Sequence, residues 1–128
     1  MALNAWQGIG FHKDGPLYSP TVAVLSLGSA AVFEFRSSDP KGGAADAPPP
    51  VASLLLPPRG LLVFAGEAYT KLLHGIHARR ADDLAAPGLV RLDGGGGGGE
   101  AQAEQERFLP RGHRLSLTIR RTRRPGEA

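Results

Sequence analysis

Hydrophobic and polar positions alternate in short stretches punctuated by Gly and Pro. Thr21 to Gly28 (TVAVLSLG) is β-branched and Leu-rich and ends at a glycine. Ala31 to Arg36 (AVFEFR) places Phe33 and Phe35 on one face of a strand and Glu34 and Arg36 on the other. Gly28-Ser29 suits a short turn, so the two runs are expected to form a hairpin. Ala52 to Leu56 and Leu61 to Ala65 are two further strand candidates. Pro57 and Pro58, which cannot donate to a ladder, fit the connection between them. Lys71 to His77 (KLLHGIH) is a weaker candidate. Leu115 to Ile119 alternates cleanly, with Leu115, Leu117 and Ile119 on one face and Arg114, Ser116, Thr118 and Arg120 on the other. Two segments, about 37–51 and 78–112, lack this pattern and are expected to be inserted loops. The second contains Gly94 to Gly99, and in it only Ala81 to Ala86 suggests a short helical turn. Many short strands without a long helix predict an all-β sandwich or jelly roll.

Composition changes this picture little. The chain has 128 residues, enough for one domain, taken as 1–128. Its 18 Gly and 11 Pro, about 23% of residues, argue against a helical bundle. There is no cysteine, which excludes disulfides and thiolate metal sites. No apolar run approaches the ~18 residues of a membrane span, so no membrane partner is expected. The N-terminus has no signal-peptide pattern, and the chain is expected to be intracellular, in the cytoplasm or nucleus.

Charge is more informative. From Met1 to Glu106 there are 8 basic and 11 acidic residues, whereas from Arg107 onward there are 7 Arg and one Glu. A basic end suits either a solvated tail or a nucleic-acid surface. His12 and Asp14 stand two apart, so in an extended segment they point the same way and can share an ion. Asp14-Gly15-Pro16 is equally good turn chemistry. His74 lies in an apolar stretch and, taken alone, fits a core histidine. Together the three give two imidazoles and one carboxylate, the ligand pattern of non-haem Fe(II) oxygenases. Arg114 and Arg120 share one strand face, and a guanidinium can grip a carboxylate through two parallel hydrogen bonds. Alternation alone leaves open whether that face points inward. His77 and His113 flank the loop-like segment and are taken as solvated or supporting groups.

The blocks HKDGPLYSPTVAVLSLGS, SLLLPPRGLLVFAGEAYTKLLHGI and RLSLTIRR, in that order, closely resemble the AlkB family of Fe(II)- and 2-oxoglutarate-dependent dioxygenases. Within it they are most similar to the branch called AlkB homologue six. The resemblance runs from about Gly8 to Arg121. It implies an all-β double-stranded β-helix (jelly roll) in which His12, Asp14 and His74 ligate Fe(2+). It assigns Arg114 to the distal carboxylate of 2-oxoglutarate and Arg120 to the second arginine of the same motif. O2 is the other cosubstrate, and no catalytic residue is implied beyond the metal ligands. The implied reaction is oxidative hydroxylation or demethylation of N-methylated nucleic acid, with a methylated base as partner. Lys13 stands at a variable position and should point away from iron.

The family also places an Asn-x-Tyr pair before the His-x-Asp. Asn4 and Trp6 do not match it at the expected spacing, and no nucleotide-recognition lid precedes them. The fold is therefore expected without its N-terminal strand or strands and lid. A second reading is a catalytically impaired fragment that binds nucleic acid or protein through its basic C-terminus. A cupin-like iron jelly roll is a third, disfavoured because it needs no pair like Arg114 and Arg120.

Overall fold

A computed structural model describes residues 1–38, 49–91 and 107–126. Eleven strands and one short helix are present among them: β1 Ala2–Leu3, β2 Ile9–His12, β3 Tyr18–Gly28, β4 Ala31–Ser37, β5 Ala52–Leu56, β6 Leu61–Ala65, α1 Glu67–Thr70, β7 Leu72–Ile76, β8 Ala81–Asp83, β9 Leu89–Arg91, β10 Phe108–Pro110 and β11 Arg114–Thr122. They form a four-stranded sheet in the order β1-β11-β3-β6, a five-stranded sheet in the order β2-β7-β4-β5-β9, and a two-stranded ribbon of β10 and β8. All pairs are antiparallel except β5 with β9. The result is the expected jelly-roll-like sandwich.

The predicted strands are present, but the predicted hairpin is not. β3 belongs to the four-stranded sheet and β4 to the five-stranded one. Both strands bury apolar side chains, so the turn carries the chain across the core instead of folding it back beside itself. Gly28 makes this possible with φ +80°, and a Cβ there would collide with the His113 carbonyl. The connection from β5 to β6 crosses in the same way. It is pinned to β3 by the Arg59 amide donating to the Ser26 carbonyl at 2.6 Å and the Ser26 amide donating to Gly60 at 2.9 Å.

The core lies between the sheets and is built on Val22, Val24, Phe33, Phe35, Leu56, Phe64, Tyr69 and Ile76. Phe33 and Phe35 point into it, as the alternation of β4 predicts. Glu34, on the opposite face, is also buried, and its carboxylate meets Arg36 at 2.9 Å and His77 at 3.0 Å.

The 78–112 segment departs from the expected loop. Its described parts contain β8, β9 and β10, and Ala81–Asp83 is a strand where a helical turn is predicted. A charge pair joins the described parts. Arg111 forms two hydrogen bonds to the Asp82 carboxylate at 2.7 and 2.8 Å, and both side chains are almost fully buried. Arg111 also donates to the His77 carbonyl at 2.5 Å, tying this segment to the end of β7. Arg107 pairs with Asp83 on the surface. The six glycines 94–99, and most of the 37–51 segment, lie outside the described residues.

Candidate active site

The two faces of β11 resolve what alternation leaves open. Arg114 and Ser116 are each 4% exposed, whereas Leu115, Leu117 and Ile119 are on the outside. The polar face therefore points between the sheets, opposite β2 and β7. Val22, Val24 and Ser26 of β3 continue that inner face, in register with Arg120, Thr118 and Ser116. A cavity opens there, lined by His12, Asp14 and His74 on one side and by Arg114, Ser116, Thr118 and Arg120 on the other. All five residues singled out in the sequence thus border one space.

The two histidines are placed by the β2–β7 ladder. Ile9 pairs with Ile76 and His12 with His74, so β2 holds one more residue than β7 between the two pairs. This bulge reverses the facing of β2. Regular alternation would send Phe11 inward with Ile9. Instead His12 turns in, and Phe11 packs outside against His77 and Arg36. Gly75 lets the strands approach, because a Cβ there would lie 2.7 Å from the Ile9 carbonyl. The His12 and His74 rings end 4.5 Å apart.

His12 Nδ1 lies 2.7 Å from the Gly10 carbonyl. A carbonyl only accepts, so Nδ1 carries the proton and Nε2 keeps its lone pair free for the cavity. Asp14 Oδ1 lies 3.5 Å from His12 Nε2 and 3.8 Å from His74 Nε2. One donor atom from each residue falls within 4.8 Å of the others, a set that can hold a metal ion. The Asp14 side chain is 3% exposed, and its Oδ2 has no hydrogen-bond partner. A buried carboxylate oxygen without a partner is costly, and a cation at this position would satisfy it. The donor set therefore fits an Fe(II)-type ion. Lys13, between His12 and Asp14, is exposed.

His74 is enclosed by Phe33, Phe35 and Phe64, with ring centroids 5.6, 6.4 and 5.1 Å away. Burial lowers its pKa below the ordinary histidine value; nearby Asp14 opposes the shift, and His12 and Arg120 reinforce it. The folded chain thus favours neutral imidazole, the form that binds metal. Because the unfolded chain takes up the proton more readily, His74 should destabilise the fold as pH drops below ~6.5. The metal-free chain should therefore melt at a lower temperature at about pH 5 than at about pH 7, and His74→Gln should reduce this difference. Thermal unfolding across that range measures both.

Arg114 faces the cavity as a buried cation. Its Nη2 donates to Ser26 Oγ at 2.7 Å, but its Nε has no partner. Burial, and secondarily Arg111, pull its pKa below the usual guanidinium range. Arg120 reaches the same space from the far end of the strand, where its Nη2 donates to Asp14 Oδ1 at 3.0 Å and its guanidinium lies over the Tyr18 ring. Asn4 and Trp6 do not border the cavity, and Trp6 is exposed.

The sequence reading misses Ser26, Gly75 and Tyr69. Ser26 has a detectable signal: it is a small polar residue on the otherwise apolar inner face of β3. Arg111, one of the seven arginines of the basic C-terminal end, is buried.

Comparison with known proteins decides the family. The 2OG-Fe(II) oxygenase superfamily model matches residues 4–120. The chain belongs to this superfamily. Its members use Fe(2+), 2-oxoglutarate and O2. Among its relatives is the zebrafish (Danio rerio) "Probable RNA/DNA demethylase ALKBH6", 32% identical over 118 residues that cover 89% of this chain and 47% of the relative. The "tRNA (carboxymethyluridine(34)-5-O)-methyltransferase ALKBH8" of mouse is 32% identical over 91% of this chain and 16% of its own length. The same enzyme of Macaca fascicularis is 31% identical over 96% and 17%. The chain thus spans about half the zebrafish relative and a smaller part of the others. These similarities place this superfamily member in the AlkB family, on the ALKBH6-like side.

Proposed function

We propose that the cavity is the oxidation centre of an AlkB-type dioxygenase acting on N-methylated nucleic acid. In this reading His12, Asp14 and His74 hold Fe(II), and Arg114 and Arg120 receive 2-oxoglutarate. The observation that carries it is the pair of orphaned buried atoms, Asp14 Oδ2 and Arg114 Nε, in residues that border one cavity. The first calls for a cation and the second for an anion, and Fe(II) with 2-oxoglutarate supplies both.

Each residue has a distinct task. The aromatic cage favours the neutral form of His74, and the Gly10 carbonyl fixes the tautomer of His12. Ser26 holds one terminal nitrogen of Arg114 and leaves Nε for a carboxylate oxygen. Arg120 offers a second positive charge in the same cavity, close to Asp14. Bound iron supplies the redox chemistry that couples 2-oxoglutarate decarboxylation to oxidation of a substrate C–H bond.

Nucleic acid as substrate draws on the names of the relatives, an RNA/DNA demethylase and a tRNA-modifying enzyme. The binding-module reading rests on the C-terminal arginines. Arg121 Nε donates to Ser19 Oγ and Arg123 Nε to the Tyr18 carbonyl. These arginines thus also fasten the chain that follows the His-x-Asp turn, a local role that weakens the case for a free basic tail.

The substrate is tested with an N-methylated single-stranded oligonucleotide, Fe(II), ascorbate and 2-oxoglutarate. Formaldehyde released in step with succinate is the expected result. Succinate that forms at a rate indifferent to the oligonucleotide, without formaldehyde, would remove the nucleic-acid substrate and leave the oxygenase reading standing.

A further inference from the structure

His12 and His74 are held by a strand ladder, but Asp14 is not. It lies two residues past the end of β2, in a turn where Gly15 has φ +94°. A ligand on such a turn needs another support to keep its carboxylate in place. One support is Arg120, through its bond to Asp14 Oδ1. In the reading above Arg120 also receives the cosubstrate, so its hold on Asp14 is shared.

The other support comes from α1. Tyr69 is 5% exposed, and its hydroxyl donates to the Gly15 carbonyl at 2.6 Å, one residue from Asp14. α1 is short but anchored at both ends. The Gly66 amide before it donates to the Pro20 carbonyl at 3.2 Å, and Lys71 after it leads directly into β7. Tyr69 is five residues before His74 in the chain. Its hydroxyl therefore ties the strand that carries one candidate ligand to the turn that carries another, across 54 residues of sequence.

We infer that Tyr69 is a positioning residue for the metal centre: its hydroxyl fixes the His-x-Asp turn so that the Asp14 carboxylate stays aimed at His12 and His74. The inference rests on the proposed roles of those three residues. Groups that orient a ligand without touching the metal commonly change metal affinity by ~10–100-fold when removed.

The test compares the full chain with Tyr69→Phe, Thr70→Val and Asp14→Ala, titrated with Mn(II) and read as free Mn(II) by electron paramagnetic resonance. Tyr69→Phe keeps the ring in the core and removes only the hydroxyl. Thr70→Val removes a different hydrogen bond of the same helix, from Thr70 Oγ1 to the Gly66 carbonyl. Thermal unfolding of the metal-free variants accompanies the titration. Tyr69→Phe should bind Mn(II) ~10–100-fold more weakly while Thr70→Val binds as the parent does. Parent-like affinity in Tyr69→Phe, or an equal loss in both variants, would overturn the inference. Asp14→Ala should abolish binding. Retained binding there would overturn the ligand set itself, a failure separate from that of Tyr69.

Discussion

Replacing Arg114 with methionine should raise the 2-oxoglutarate concentration needed for half-maximal turnover by roughly 30-fold to several thousand-fold, yet leave the ligand-free chain at least as stable. Truncating one partner of a buried hydrogen-bonded charge pair costs about 2–5 kcal/mol, which sets that range. The stability effect runs the other way because the ligand-free protein buries a guanidinium whose Nε has no partner. Methionine keeps much of the length of the side chain and removes the desolvated charge. A structural arginine would behave differently, since its loss would lower the melting temperature together with activity. Succinate production titrated with 2-oxoglutarate, alongside thermal unfolding, separates the two roles. Loss of stability with an unchanged cosubstrate requirement would show that Arg114 serves the fold and not the ligand.

Removal of a candidate metal ligand should have the largest effect. His74→Ala, Asp14→Asn and His12→Ala should each reduce iron-dependent succinate formation to background. The stability consequences differ by site. His74 sits among three phenylalanines, so its truncation leaves a void and costs on the order of 2–4 kcal/mol, by comparison with other large-to-small core changes. His12 has a side chain 43% exposed and should cost far less. Asp14→Asn keeps the shape and removes the charge near the Arg120 guanidinium. Loss of turnover in all three, against this uneven stability pattern, points to a shared chemical role. Turnover that followed stability alone, surviving in the His12 variant, would contradict it.

Much of this was legible in the sequence, for physical reasons that can be traced residue by residue. Alternation over β4 and β11 marked true strands: Phe33 and Phe35 of β4 face the core, and Arg114 and Ser116 of β11 face the cavity between the sheets. The same alternation was silent on which face of β11 is buried, since a period of two gives two equivalent faces. Arg114 and Ser116 are inside, lining one cavity with His12, Asp14 and His74, and only the assembled sandwich shows it. The hairpin expected between β3 and β4 failed for a related reason. A short glycine turn permits either a return along the same sheet or a crossing to the other, and the choice is made by distant partners: β11 and β6 for one strand, β5 and β7 for the other.

The bulge in β2 was hidden as well. Phe11 and His12 compete for the inward position, and simple alternation favours Phe11. The ladder with β7, and Gly75 within it, gives the position to His12. Asp82 and Arg111, 29 residues apart, join β8 to the chain just after β10 in a segment whose composition reads as loop. Charge pairs over such separations leave no periodic trace in the sequence. Tyr69 gave no signal either, because its partner is a backbone carbonyl that any residue would provide.

The central claim is that this chain houses an Fe(II)- and 2-oxoglutarate-dependent oxidation centre. The most direct measurement needs no knowledge of the substrate: succinate formed from 2-oxoglutarate by the folded chain with Fe(II), ascorbate and O2. The account predicts succinate that depends on added Fe(II), is suppressed by a chelator, and disappears in the Asp14→Asn variant. A folded chain that forms none above the iron-and-ascorbate blank, or forms it equally well as Asp14→Asn, would contradict it.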